Sequence, residues 1–146
     1  MNIKKALKEK NRLVKEIQDL QVRVTTYNSI EVGNKRPYSV KESLKKLDSL
    51  SNELVELKTK IHVANAPVYK HIFRLSELKS MITRIKSLDC NEGIVQDYYS
   101  RNRETPTVKE AEISIVERDE MVKHMENQIE EIQDILDTHN QITEIQ

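Results

Sequence analysis

Leu47, Leu50, Leu54, Leu57, Ile61 and Ala64 follow one another at alternating steps of three and four residues. This is the pattern that most restricts the chain. Apolar side chains at that spacing line one face of a helix and drift slowly around it, so they must meet a second apolar stripe. Two other segments offer one. Ala6, Lys10, Leu13, Ile17, Leu20, Val24 and Tyr27 keep the rhythm near the start of the chain, with Ile3, Leu7 and Val14 widening the stripe. Ile115, Arg118, Val122, Met125, Ile129, Ile132, Leu136 and His139 keep it near the end. Lys10 interrupts its seam and is expected to snorkel.

The breaks between stripes place the elements. NSIEVGNKRPYS (28–39) holds Gly33, Asn34 and Pro37 and reads as a loop. Ser39 and Glu42 then form a capping box, in which the serine oxygen accepts a free backbone N–H at the helix start. Pro67 ends that helix by restricting the residue before it. VYKHIFRL (68–75) reads either as a short extended piece or as the lead-in to a third helix with Ser76 as its N-cap and Gly93 as its stop. Two capping boxes compete for the start of the last helix, Thr107 with Glu110 and Ser114 with Glu117, and Ser114 is favoured. Residues 105–113 would then be extended and would pair with 68–75 as a small ribbon. The expected fold is all-α, an antiparallel coiled-coil hairpin or bundle in one domain, with helices over about 2–27, 40–65, 77–90 and 115–140. A helix of ~25 residues is about 38 Å long.

Composition supports this reading and narrows the function. Glycine occurs twice and proline three times, and charged residues make up 33%, as in long helices. Hydrophobic residues are 37% and aromatics 4%, which suits narrow stripes rather than a thick core. Stripes of that kind are often completed by another copy of the chain, so a homo-oligomer is expected. Basic and acidic residues balance at 24 each, which gives no general pull toward nucleic acid or an anionic membrane. A single cysteine, Cys90, fits a reducing compartment, and a cytoplasmic location is expected. MNIKKALKEKNRLV has no unbroken apolar run and is not expected to act as a secretory signal.

Catalytic patterns are not seen. Gly33 and Gly93 stand alone, so no phosphate-cradling glycine loop is formed. His62, His71, His124 and His139 are scattered, and no E-x-x-H pair suggests a di-iron site. Glu117, Glu120, Glu130 and Glu131 read as a solvated helix face. No enzyme activity, metal or cofactor is expected.

One stretch differs in chemistry. QDYYSRNRETP (96–106) places Tyr98, Tyr99, Arg101 and Arg103 together in a chain with five tyrosines and one phenylalanine. Guanidinium groups hold phosphate or carboxylate through paired hydrogen bonds, and tyrosine offers a flat ring and a hydroxyl. Together they suit a small anionic, ring-bearing ligand such as a nucleotide, with Arg36 as a helper from the first loop. The plain alternative is a tyrosine packed over a helix end with the arginines paired to Asp97 and Glu104.

The layout resembles the septicolysin-like family of small helical proteins of bacteria and their phages. The resemblance spans nearly the whole chain. It rests on LKEKNRLVKEIQDLQVRV, the V-G-x-x-x-P loop at Val32, Gly33 and Pro37, and LKKLDSLSNELVELKTKI with Asn65. LSELKSMITRI, YYSR at Tyr98–Arg101 and the terminal ITEI at Ile142–Ile145 complete it. The segment after Arg101 is longer here and contains Pro106, and Ile142 stands near the place of the family's terminal tryptophan. The resemblance implies an all-α coiled-coil fold and self-association, and it brings no known reaction. The function expected is a non-enzymatic, oligomeric binding protein that sequesters a nucleotide-like anion in a pocket between subunits. The rival is a structural or adaptor coiled coil, a virion or assembly component, with no small-molecule ligand.

Overall fold

Each long helix starts where a side-chain oxygen is available to cap it. In the computed structural model, which describes residues 1–95 and 107–146, α1 runs Ile3–Tyr27, α2 Val40–Ala64, α3 Tyr69–Lys86 and α4 Ile115–Ile142. Asn2 Oδ1 accepts from Lys5 N–H at 3.0 Å, Ser39 Oγ from Glu42 N–H at 3.2 Å and Ser114 Oγ from Glu117 N–H at 3.1 Å. Ser114, not Thr107, therefore opens α4, and Thr107 lies in a strand. Among the described residues the fold is all-α with a small two-stranded ribbon.

Contacts group the chain into two units, Met1–Tyr69 with Asp137–Gln146, and Lys70–Leu136. In the first, α1 and α2 pack as a hairpin. Leu13, Leu20 and Leu50 are buried, with Ile17, Leu47, Leu54 and Leu57 packed against them. These are the residues of the two stripes, so the stepping places the core directly. Tyr27 at the end of α1 meets Tyr38 just before α2, at 5.9 Å between ring centres, which makes the hairpin antiparallel. Outside the seam Arg12 joins Glu9 at 2.6 Å and Glu16 at 2.9 Å, and Lys46 of α2 reaches Glu16 at 2.9 Å. The Arg12 hydrogen bond holds the Glu9 carboxyl below its usual range, and the Lys46 hydrogen bond, reinforced by Arg12, does the same for Glu16.

In the second unit α3 begins well before the expected start at Glu77. Pro67 does end α2, but it also occupies the first turn of a short 3-10 segment, Ala66–Val68, that leads straight into α3. A proline costs nothing there because that N–H has no helical partner. Val68–Leu75 is therefore mostly helix rather than strand. Val68 is buried in the 3-10 segment and Leu78 further along in α3. The helix also stops sooner than Gly93. Ser87 Oγ donates to Arg84 C=O at 2.6 Å, and Asp89 Oδ1 accepts from Asn91 N–H at 3.0 Å, so short polar side chains replace the helical bonds.

The ribbon pairs β1, Gly93–Val95, with β2, Thr107–Lys109, antiparallel in the register Gly93↔Lys109, Ile94↔Val108 and Val95↔Thr107. The expected partner of the second strand was Val68–Leu75, which is taken up by helix instead. Gly93 opens the strand at φ +83 rather than closing the helix.

Candidate functional site

Arg36, the helper expected from the first loop, has a specific task. Its Nε donates to Tyr27 C=O at 2.8 Å and its Nη2 to Asn28 C=O at 3.0 Å. The last turn of α1 contains no basic residue, so its carbonyls have no cation of their own. Arg36 supplies both the charge and the donors from across the loop. Arg23 stacks over Tyr38 at 4.3 Å from the ring centre, and Tyr38 in turn leans on Tyr27. The base of the loop is thus held by the aromatic and guanidinium groups of Arg23, Tyr27, Arg36 and Tyr38.

Tyr98, Tyr99, Arg101 and Arg103 lie outside the described residues, and so does their spatial relation to Arg36. Their immediate flanks are described. Val95 and Thr107 are paired across the ribbon, so the backbone on the two sides of the stretch is held side by side. Lys109 donates to Asp89 at 2.8 Å and draws the Asp89 carboxyl below its usual range, with the Asn91 N–H adding to the effect. This pair ties β2 to the turn that precedes β1.

The first unit holds an arrangement that the sequence did not single out. The two ends of the segment meet. Ile3 N–H donates to Thr143 C=O at 3.0 Å and Ile145 N–H to Met1 C=O at 2.9 Å, a short antiparallel bridge between Asn2 and Glu144. Asn2 Nδ2 also donates to Gln141 C=O at 2.9 Å, so one asparagine caps the start of α1 and the end of α4. The Met1 amine pairs with Glu144 at 2.5 Å. His139 Nε2 donates to Ala64 C=O at 3.1 Å, which satisfies a carbonyl at the end of α2, and His139 Nδ1 meets the Thr143 hydroxyl at 3.1 Å. The Tyr69 hydroxyl donates to His62 C=O at 2.9 Å and touches His62 Nδ1.

Beside this bridge lies a half-open groove of about 370 Å³, lined by Lys60, Val63, Ala64, Pro67, Glu144 and Gln146 among others. In such a bridge the bonded groups belong to the neighbours of the paired residues. The N–H and C=O of Glu144 therefore face the opposite edge, and neither has a backbone partner among the described residues.

No family model, curated protein or solved structure matches this chain. Among the described residues no three His, Cys, Asp or Glu side chains converge as metal ligands, and no helix is long and apolar enough to cross a membrane.

Proposed function

We propose that this chain is a non-enzymatic, self-associating helical protein of the cytoplasm that captures a small anionic ligand of nucleotide type. Tyr98, Tyr99, Arg101 and Arg103 are its contacts, in a pocket formed between subunits, and its role is to sequester a signalling nucleotide. The resemblance to the septicolysin-like family enters the reading as a proposal of shared fold and shared self-association. The observation that carries it is the ladder at the base of the stretch. Pairing of Val95 with Thr107, with Lys109 anchored on Asp89, holds together the flanks of a segment rich in ring and guanidinium groups. Anchored flanks lower the entropy cost of ordering such a segment around a ligand. Arg36 contributes only through the guanidinium N–H groups left after capping α1.

Native mass spectrometry before and after exposure to a panel of mono-, di- and cyclic nucleotides tests this. The expected result is an oligomer that gains the mass of one nucleotide per site and loses that gain in the Arg101→Ala, Arg103→Ala double variant. A double variant that binds as well as the parent removes the site.

A structural or adaptor role is the second reading, and exposed apolar side chains favour it. Met81, Leu88, Val116 and Ile135 all stand in solvent in the second unit, where few apolar residues are buried. A clean oligomer with no added mass supports it.

A further inference from the structure

We propose that α3 and α4 form half of a four-helix bundle, completed by α3 and α4 of a second copy of this chain through a face that carries Met81, Leu88, Met121 and Ile135. This rests on the self-association proposed above and names its surface. In the second unit Leu78, Val122 and Ile132 are buried, and Ile82, Ile85, Met125 and Ile129 are half-buried. In heptad terms Ile82, Val122 and Ile129 hold position a, and Leu78, Ile85, Met125 and Ile132 hold position d. The ribbon turns the chain back between the two helices, and Lys86 meets Glu126 at 4.0 Å. Both of these residues are at position e. In an antiparallel pair the two e rows share one flank of the seam and the two g rows share the other, so this ion pair marks the e flank. The g rows are Arg74, Met81 and Leu88 on α3, with Leu88 just past its end, and Met121, Gln128 and Ile135 on α4. Four of these six are large apolar side chains, and all four stand in solvent. A two-helix coil needs apolar residues only at a and d. A third apolar row marks a helix that packs on more than one neighbour. Both helices carry that row, and on the same flank, so the pair presents a second seam.

Charge identifies what covers it. α4 holds eight carboxylates against two lysine or arginine side chains, and α3 holds five such cations against one carboxylate. The outer border of the face is position c, with Glu77 and Arg84 on α3 and Glu117, His124 and Glu131 on α4. Among the described residues Arg74, Arg84, Glu117 and Glu131 have no ion pair, and Lys86 with Glu126, on the other flank, is the one such pair between the two helices. A partner for this face is therefore acidic opposite α3 and basic opposite α4. A second copy meets both demands at once. A two-fold axis running along the helices lays α3 of each copy, antiparallel, on α4 of the other. The other two-fold, across the helices, sets acidic α4 on acidic α4 and is opposed by like charge. α1 and α2 are not free to serve, because their stripes fill each other.

Sedimentation equilibrium of the full chain over a range of concentrations tests this, with helicity at 222 nm as the check on folding. The parent should dimerise. The Met81→Glu, Leu88→Glu double variant sets carboxylates against the acidic α4 of the partner copy and should raise the dissociation constant at least about tenfold with helicity unchanged. Val55→Glu, at an exposed site on α2, should leave it within about twofold. Arg84→Glu and Glu131→Arg, both at exposed positions, should each weaken the dimer, and the two together in one chain should restore it. That rescue is a result that a general loss of stability does not give, and it decides the matter if the double glutamate variant unfolds. A parent that is monomeric at every concentration refutes the self-association and this face together. A dimeric parent whose folded Met81→Glu, Leu88→Glu variant associates equally well leaves the self-association standing and refutes this face. Combined reversals no better than either single one refute the laying of α3 on α4.

Discussion

Leu13→Ala is the sharpest probe of the hairpin. Leu13 is fully buried in α1, at the centre of the cluster with Leu20 and Leu50. Truncating it removes its transfer free energy and leaves a cavity in a two-helix seam whose neighbours Ile17, Leu47 and Leu54 are fixed by their own helices. A buried leucine in such a setting contributes about 3 kcal/mol, in a range of about 2 to 5. For a chain of this size each kcal/mol moves the melting temperature by about 3 °C, so a fall of about 10 °C is expected. Leu44→Ala is the control. Leu44 is on the same hairpin, is 48% exposed and should shift the midpoint by no more than about 1 °C. Helicity at 222 nm, followed on heating at one fixed protein concentration, reads both variants, because self-association would make the midpoint concentration-dependent. If Leu13→Ala melts no earlier than Leu44→Ala, the seam does not hold α1 and α2 together. If the order is reversed, Leu44 is covered by another chain and the hairpin core is the lesser part of the stability.

Further predictions follow from the caps, the turns and the charges. Ser114→Ala should destabilise by about 1 kcal/mol, and Thr107→Ala should cost less, as read by urea midpoints; equal costs would return the start of α4 to question. Gly93→Ala should destabilise by about 1 kcal/mol although its Cβ would meet nothing, because φ is +83 there; an unchanged urea midpoint would contradict the turn geometry. Glu9 and Glu16 have carboxyls held below the ordinary value of 4.5, so their contribution is complete above that pH and is lost as the pH falls through the lower folded values. An acid titration of stability should therefore be less steep below pH 4.5 in the Glu9→Gln, Glu16→Gln variant than in the parent, and identical slopes would show that the network is immaterial.

How far these features could be read from the residues depends on whether their cause is local. The seams of α1, α2 and α4 were legible because a long run of three-four steps has few other solutions, and Ser39 and Ser114 were legible because a cap is a contact three residues long. The start of α3 was not. Pro67 is a stop for the helix before it and an allowed first-turn residue for the helix after it, and the sequence shows only one proline. The ribbon was misassigned for a related reason. Gly93 suits a helix stop and a strand start equally, and strands of three residues are too short to show a period. Arg36 drew attention as a binding group, but its carbonyl partners at Tyr27 and Asn28 emerge only when the loop closes. The groove was missed because Lys60 and Val63 lie off the stripe and Glu144 is distant in sequence. Val63, an aliphatic residue off the seam and just ahead of Pro67, was the one available signal.

The bridge that carries Asn2 also imposes an order on how the protein is made. Its bond to Gln141 joins residues 139 positions apart. On the ribosome, α1 and α2 can zip through Leu13, Leu20 and Leu50 soon after α2 emerges, since every partner is then present. Ile3 and Ala6, both fully buried in the finished protein, lie before that cluster in α1, and the Ile3 amide waits for Thr143. The first turn of α1 is thus completed only after Thr143 has been made. Until then the Ile3 amide lacks its carbonyl, while the Asn2 side chain can already cap the helix through the Lys5 N–H.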